Sequence, residues 1–357
     1  MSQIDSSGIR KVFDLAAKMK SPVNLSIGQP DFDVPEPIKK VAIENIEKGF
    51  NHYTPTQGIP QLRDRLGQQL RENKIIFEDL FVTSGVSGGI MLSFMALLNP
   101  GDEVLIADPY FVMYKHLANL IGAVPVFVDT YPDFKMTAEK IAKKLTPKTK
   151  MIALNTPANP TGVTLSEKEV KAMADLLKGK EIVVLSDEIY DQFIYDSAQA
   201  SVGRYHPLTL TMGGFSKTYG MTGWRLGYTA GPKEIIQEMV KLQQFSFVCA
   251  PSFAQKAGVA ALDFPMNGKI AEYQRKRDWV YEELKKHYSI VKPGGAFYFF
   301  PQAPNGDADT FVSQALEREL LIIPGKVFSE KNTHFRISFA ASDETLKKGI
   351  HILKEIA

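Results

Sequence analysis

The feature that most constrains this chain is a rhythm of short β-rich runs, at residues 80–83, 103–107, 124–128, 151–154, 182–186, 208–212 and 226–230. Helical patterns fall between several of them, at 89–98, 112–120 and 167–177. Strands that alternate with helices are the sequence form of an α/β protein with a mostly parallel sheet, and seven runs predict one large seven-stranded sheet flanked by helices. In such sheets ligands sit beyond the carboxyl ends of the strands. The segments following the strands are SGVSGG (84–89), DPYFVMY (108–114), NTPANPTG (155–162), DEIYD (187–191) and the GGFSKTYGMTGWR run ending at residue 225. Five loops on one sheet edge are enough to build one site. Beyond about residue 275 the rhythm changes to a charged helix at 271–288, PGGAFYFF, a helical run at 308–318, LIIPGKVF, HFRISFA and a terminal helix. The expected organisation is a large domain over 41–275 and a smaller α+β domain formed by 1–40 together with 276–357.

Composition narrows the function classes. Forty-two Lys and Arg against 40 Asp and Glu leave a formal charge of +2 in 357 residues, without the basic stripe that nucleic-acid binding needs. The single cysteine, Cys249, excludes an internal disulfide, and six scattered histidines show no ligand spacing, so no metal is expected. No apolar run approaches the roughly 18 residues of a membrane span. The first twenty residues lack the apolar core of a secretion signal and instead predict an amphipathic helix through Ile9, Val12, Phe13, Ala16 and Ala17. A reducing cytoplasm is the expected compartment.

The chemistry concentrates around Lys217. The run Met212–Tyr228 holds Gly213, Gly214, Gly220 and Gly223, which makes it a poor helix and a good irregular loop for presenting one amine. It is not a phosphate-binding P-loop, because Ser216 precedes the lysine where a glycine is required, and SGVSGG lacks the first spacing of a dinucleotide fingerprint. A strand followed by the turn Gly85, Val86, Ser87 and a helix from Gly88 or Gly89 does suit a single phosphate, through free N–H groups and the helix dipole. Arg225, eight residues after Lys217, adds a bidentate guanidinium. Asp187 ends the apolar run IVVLS, where a carboxylate is costly without a cationic partner. Asn159, Phe111 and Tyr190 lie in other loops of the same edge. Singly, each of these has an ordinary structural role.

Their order and spacing are more specific. Asn159 precedes Asp187 by 28 residues, Asp187 precedes Lys217 by 30, and Arg225 follows by 8. With LSIGQPDF, YTPTQGIPQLR, VTSG, PGDEV, PANPTG, SDEIY, SKTYGMTGWRLGY, GGAFY and FRISFA in that order, the chain resembles the class I/II aminotransferases, the fold-type I enzymes that use pyridoxal 5′-phosphate, and within them the aspartate and aromatic branch. The resemblance implies that Lys217 forms the imine link to the cofactor and then acts as general base, with Asp187 on the pyridine nitrogen. It implies Asn159 and Tyr190 on the ring oxygen, Phe111 against the ring face, and Gly85, Val86, Ser87, Ser216 and Arg225 around the phosphate. Tyr53 is implied to reach the phosphate of a second subunit in a homodimer, while Arg336, Gly28 and Asn159 face the substrate carboxylate. The catalytic set is thus Lys217, Asp187 and Tyr190. The expected reaction passes an amino group from an L-amino acid to a 2-oxo acid, with 2-oxoglutarate and glutamate as one pair, by a ping-pong course.

Two positions depart from the family pattern. Gly214 stands where many relatives carry a hydroxyl ligand for phosphate, leaving Ser216 or Ser87 to substitute. Ser87 stands where some aspartate-using relatives carry a lysine, which weakens an aspartate assignment. A carbon–sulfur β-lyase or an aminocyclopropane carboxylate synthase-like enzyme would share every one of these residues and stays open at this point.

Overall fold

A computed structural model of the chain describes residue 19 and residues 22–357, so the helix expected around Ile9 to Ala17 lies outside the described residues. All seven expected strands are present in one sheet: β1 (Asp79–Ser84), β2 (Glu103–Asp108), β3 (Val124–Asp129), β4 (Thr149–Asn155), β5 (Val183–Asp187), β6 (Thr209–Gly214) and β7 (Leu226–Gly231), in the order β1-β7-β6-β5-β4-β2-β3. Its central strand β5, sequence VVLSD, is buried along its whole length, as a strand covered by helices on both faces must be. Every pairing is parallel except the two made by β7.

The register collects the functional loops. Asn155 pairs with Asp187, and Asp187 with Met212, two residues before β6 ends. Because β7 runs against its neighbours, its first residue Leu226 pairs with Ser84 at the end of β1, while Gly227 pairs with Gly214 at the end of β6. Arg225 and Lys217 therefore enter the same edge of the sheet from opposite ends of one loop.

The first helix differs from expectation in an instructive way. It runs Gly85–Leu97 directly from β1, so the residues expected to form a turn are its first turn. Glycine disfavours helix, but here each glycine admits a close neighbour: a Cβ on Gly85 would lie 2.5 Å from Arg225 Nη2, and one on Gly89 would lie 2.5 Å from Thr229 Oγ1. Packing outweighs propensity.

The remaining elements form two small sheets and their helices. Tyr298–Phe299 and Ile323–Pro324 each pair antiparallel with Phe335–Ser338, and Val23–Asn24 pairs parallel with Leu320–Leu321. The charged helix is Asn267–Leu284, four residues earlier at each end than expected, and its buried positions Tyr273, Lys276, Arg277, Val280 and Leu284 keep a helical period. Residue 275 falls inside this helix and residue 40 inside the helix Glu36–Glu47. Among the described residues no helix is long and apolar enough to cross a membrane, and no group of His, Cys, Asp and Glu is arranged to hold a metal.

Candidate active site

Beyond the carboxyl ends of β1, β4, β5 and β6 lies a cavity of about 300 Å³. Its walls contain Gly28, Val86, Ser87, Phe111, Asn159, Asp187, Tyr190, Ser216, Lys217, Arg225 and Arg336, which are all but two of the residues expected at the site. Gly85 is one step behind the wall, pressed on Arg225. Tyr53 is elsewhere: it is 85% exposed and lines a separate open hollow with His52 and Cys249.

Lys217 stands on the loop after β6, and its Nζ donates to the Gly28 carbonyl at 2.6 Å. Burial holds its pKa down to about 8, helped by the Arg336 and Arg225 guanidinium groups and opposed by the Asp187 carboxylate. A substantial fraction of this amine is thus neutral, and nucleophilic, near physiological pH. An amine-directed acylating reagent at limiting concentration is expected to label Lys217 ahead of the surface lysines. Labelling, followed by peptide mass spectrometry on the ligand-free protein, should rise about tenfold per pH unit and level off above pH 8. A rise that continues to pH 10 would place this amine among ordinary lysines.

Asp187 is buried to 3% exposure at the end of β5. Its Oδ2 accepts from the Tyr114 hydroxyl at 2.7 Å and its Oδ1 from the Ile189 N–H at 3.2 Å. Burial pushes its pKa up to about 6 against those two donors and Lys217. Both oxygens have partners, but among the described residues no cation touches them, so this carboxylate can take a cationic ligand group. Asn155 braces it from β4: its Nδ2 donates to the Asp187 carbonyl at 2.9 Å, and its Oδ1 accepts the Asn159 N–H at 2.7 Å.

At the other end, Arg336 is 1% exposed between the rings of Tyr298 and Phe328, each 4.6 Å from its guanidinium carbon. Its Nη1 donates to Asn159 Oδ1 at 3.0 Å and its Nη2 to the Ser26 carbonyl at 2.7 Å, while Nε has no partner. Burial lowers its pKa, and a guanidinium nevertheless keeps its charge. The Tyr190 and Tyr298 hydroxyls meet at 2.9 Å beside it.

The first turn of the Gly85–Leu97 helix supplies an anion cradle. The side chain of Ser84 does not cap it, so the N–H groups of Gly85, Val86 and Ser87 remain for a ligand. Arg225 is held against it by hydrogen bonds from Nη1 to the Thr222 carbonyl at 2.9 Å and from Nη2 to the Ser84 carbonyl at 3.5 Å. Its backbone is left-handed at φ 54°, which turns the chain from the loop into β7. Gly214 admits no larger residue without adjustment, since a Cβ there would lie 3.1 Å from both Ile189 Cδ1 and the Leu226 carbonyl. Ser216 and Ser87 both reach the cavity wall in its stead.

Tyr114, Asn155 and Tyr298 escaped the sequence reading. Tyr114 lies three residues beyond Phe111, one helical turn along the same face, and that spacing was the available signal. Tyr298 meets Tyr190 from 108 residues away and so carries no local signal, and Asn155, whose local bond is to the Asn159 N–H, reaches Asp187 across 32 residues.

A large, mostly parallel sheet whose edge presents a lysine of lowered pKa, a buried carboxylate and two guanidinium groups is suited to amine and carbonyl chemistry. The chain belongs to the family Aminotransferase class I and II, which it matches over residues 20–353, and it is a transaminase. It is 36% identical to a probable aspartate aminotransferase of Methanocaldococcus jannaschii over 99% of this chain and 97% of that one. It is 38% identical to a probable N-acetyl-LL-diaminopimelate aminotransferase of Bacillus subtilis, over 99% and 93%. Among solved structures it superposes on aspartate aminotransferase from Thermus thermophilus with maleate at a TM-score of 0.93, with 33% identity and coverage of 99% and 97%. Members of this family use pyridoxal 5′-phosphate.

Proposed function

We propose that this transaminase uses pyridoxal 5′-phosphate to move the amino group of an L-amino acid to a 2-oxo acid, with 2-oxoglutarate and glutamate as one pair. The donor set fits that cofactor at both ends: a helix N-terminus with Arg225 and two serine hydroxyls for a phosphate, and a buried carboxylate without a cation for a protonated pyridine nitrogen. The observation that carries the reading is the Lys217 amine, held down to about 8 between Asp187 and two guanidinium groups. When bound, the cofactor supplies an aldehyde that joins amines and a ring that accepts an electron pair.

The residues of the chain then divide the work. Gly85, Val86, Ser87, Ser216 and Arg225 hold the phosphate, and Phe111 covers one ring face. Asp187, fixed by Tyr114 and Asn155, keeps the ring nitrogen protonated. Tyr190 and the Asn159 amide, whose Oδ1 is already taken by Arg336, donate to the ring oxygen. Arg336 takes the substrate α-carboxylate on the side lined by Gly28. Lys217 Nζ removes the proton from the substrate Cα and returns one in the second half of the cycle, so the first product leaves before the second substrate enters.

Tyr53, exposed and far from its own cavity, serves the site of a second copy in a homodimer. The large lobe spans 41–275 and the small lobe joins 1–40 to 276–357, and the enzyme works in the cytoplasm.

The test is turnover of an amino donor with 2-oxoglutarate by the purified holoenzyme, with glutamate as product. Release of ammonia from the donor without an acceptor would instead favour a lyase. In the same assay Arg336→Lys, which loses the planar fork, is expected to raise KM for donor and acceptor about 10- to 100-fold with a smaller effect on kcat. An unchanged KM would remove Arg336 from the carboxylate site.

A further inference from the structure

The segment 26–33 forms one wall of the cavity through Ile27, Gly28 and Gln29. Beside the Asp33–Lys39 ion pair at its end and the edge-on packing of Phe32 on Tyr273, it is tied at three points by hydrogen bonds from distant parts of the chain. Two of its anchors are the functional groups themselves: Arg336 holds the Ser26 carbonyl at 2.7 Å, and Lys217 holds the Gly28 carbonyl at 2.6 Å. Once those groups turn to a ligand, the third anchor is the hydrogen-bonded tie that remains nearest Gly28, with the Phe32 packing and the Asp33–Lys39 pair beyond it.

That anchor is outside the cavity. Asp31 Oδ1 accepts from the Tyr273 hydroxyl at 2.6 Å, Oδ2 accepts from Lys276 Nζ at 2.7 Å, and the Asp31 N–H donates back to the Tyr273 oxygen at 3.0 Å. Both partners sit one turn apart on the Asn267–Leu284 helix. Tyr273 is fully buried against Phe193 and Phe297, at ring distances of 5.0 and 5.9 Å. Lys276 is 2% exposed, reaches Glu272 at 3.0 Å as well, and lies 5.2 Å over the Tyr273 ring. Burying an ammonium costs several kcal/mol in desolvation, and an apolar residue would hold a loop down without that cost. What an apolar contact lacks is direction, and here three directed bonds fix one aspartate only three residues from Gly28.

We propose that Asp31, Tyr273 and Lys276 are positioning residues that hold the Ile27–Gln29 wall in place while Lys217 and Arg336 are engaged by ligand, and so govern substrate capture. The proposal rests on the roles given above to Lys217 and Arg336. It predicts an effect on ligand-bound states, because in the free protein the two inner anchors keep the wall in place.

The test uses holoenzyme carrying Tyr273→Phe, which removes one oxygen, and the double variant Asp31→Asn with Lys276→Met, which removes the charges together. Each is expected to raise KM for both substrates about tenfold, the factor for one hydrogen bond to a charged group, with kcat within about twofold. The dissociation constant of maleate, titrated by the cofactor absorbance, should rise by the same factor, and cofactor affinity should not change. Should the double variant fail to fold, Tyr273→Phe decides alone. KM and the maleate constant both staying within about twofold of the parent would overturn the positioning role, as would a fall in kcat with KM unmoved. A parent enzyme that transaminates no donor would overturn the proposed function instead, so the two failures are distinguishable.

Discussion

Lys217→Ala is expected to lower turnover by about 10⁴-fold or more, since on the proposed roles one side chain serves as both imine-forming nucleophile and general base. Arg225, Arg336 and Asp187 each keep a hydrogen-bond partner other than Lys217, so the cavity walls should persist. The variant is therefore expected to fold and to retain the cofactor by its phosphate contacts, but borohydride should no longer fix the cofactor covalently to the chain. Mass spectrometry of the reduced protein is the direct check. A covalent adduct in Lys217→Ala would mean that another lysine carries the chemistry.

The second large effect is expected at Asp187. Burial holds its pKa up at about 6, and pairing with a protonated ring nitrogen would bring it down again. Asp187→Ala should lower kcat by about 10³-fold while leaving the borohydride-reducible link to Lys217 in place, because it removes the electron-sink partner and not the nucleophile. The sign in pH follows from the same shift. A group raised above its usual value in the ligand-free chain is protonated below about pH 6, so the ligand-free protein should bind cofactor progressively less well as pH falls through that value. Asp187→Ala should lose this dependence. If cofactor affinity is flat from pH 5 to 8 in the parent, the carboxylate does not face the ring nitrogen.

Much of this was legible in the sequence, for a physical reason. Most of the strands are apolar runs that are largely buried, the edge strand Val124–Asp129 being the exception, so their composition marks them, and the residues that follow the parallel runs fall on one edge by topology. Lys217, Asp187, Asn159, Phe111 and Arg225 were reached that way, with Arg336 and Gly28 supplied by family resemblance. Where the reading slipped, packing had outweighed local preference. Gly85, Val86 and Ser87 read as a turn but form the first turn of the helix, and Gly85 is kept small there by Arg225, which fills the space of its Cβ. The Asn267–Leu284 helix begins four residues earlier than expected, at an Asn-Gly pair whose local preference is for a turn. Tyr114, Tyr298 and the Asp31 cluster depend on partners that no local window contains, up to 245 residues away.

The reach of Arg336 back to the Ser26 carbonyl, 310 residues earlier in the chain, bears on how the protein is made. The cofactor half of the cavity is complete in residues 85–225, whereas the carboxylate half waits for the last strand, Phe335–Ser338. During synthesis the growing polypeptide therefore acquires its phosphate cradle and its lysine long before the guanidinium that grips a substrate. On the proposed roles, a nascent chain halted before residue 336 would hold the residues assigned to the cofactor and lack the guanidinium assigned to the substrate carboxylate.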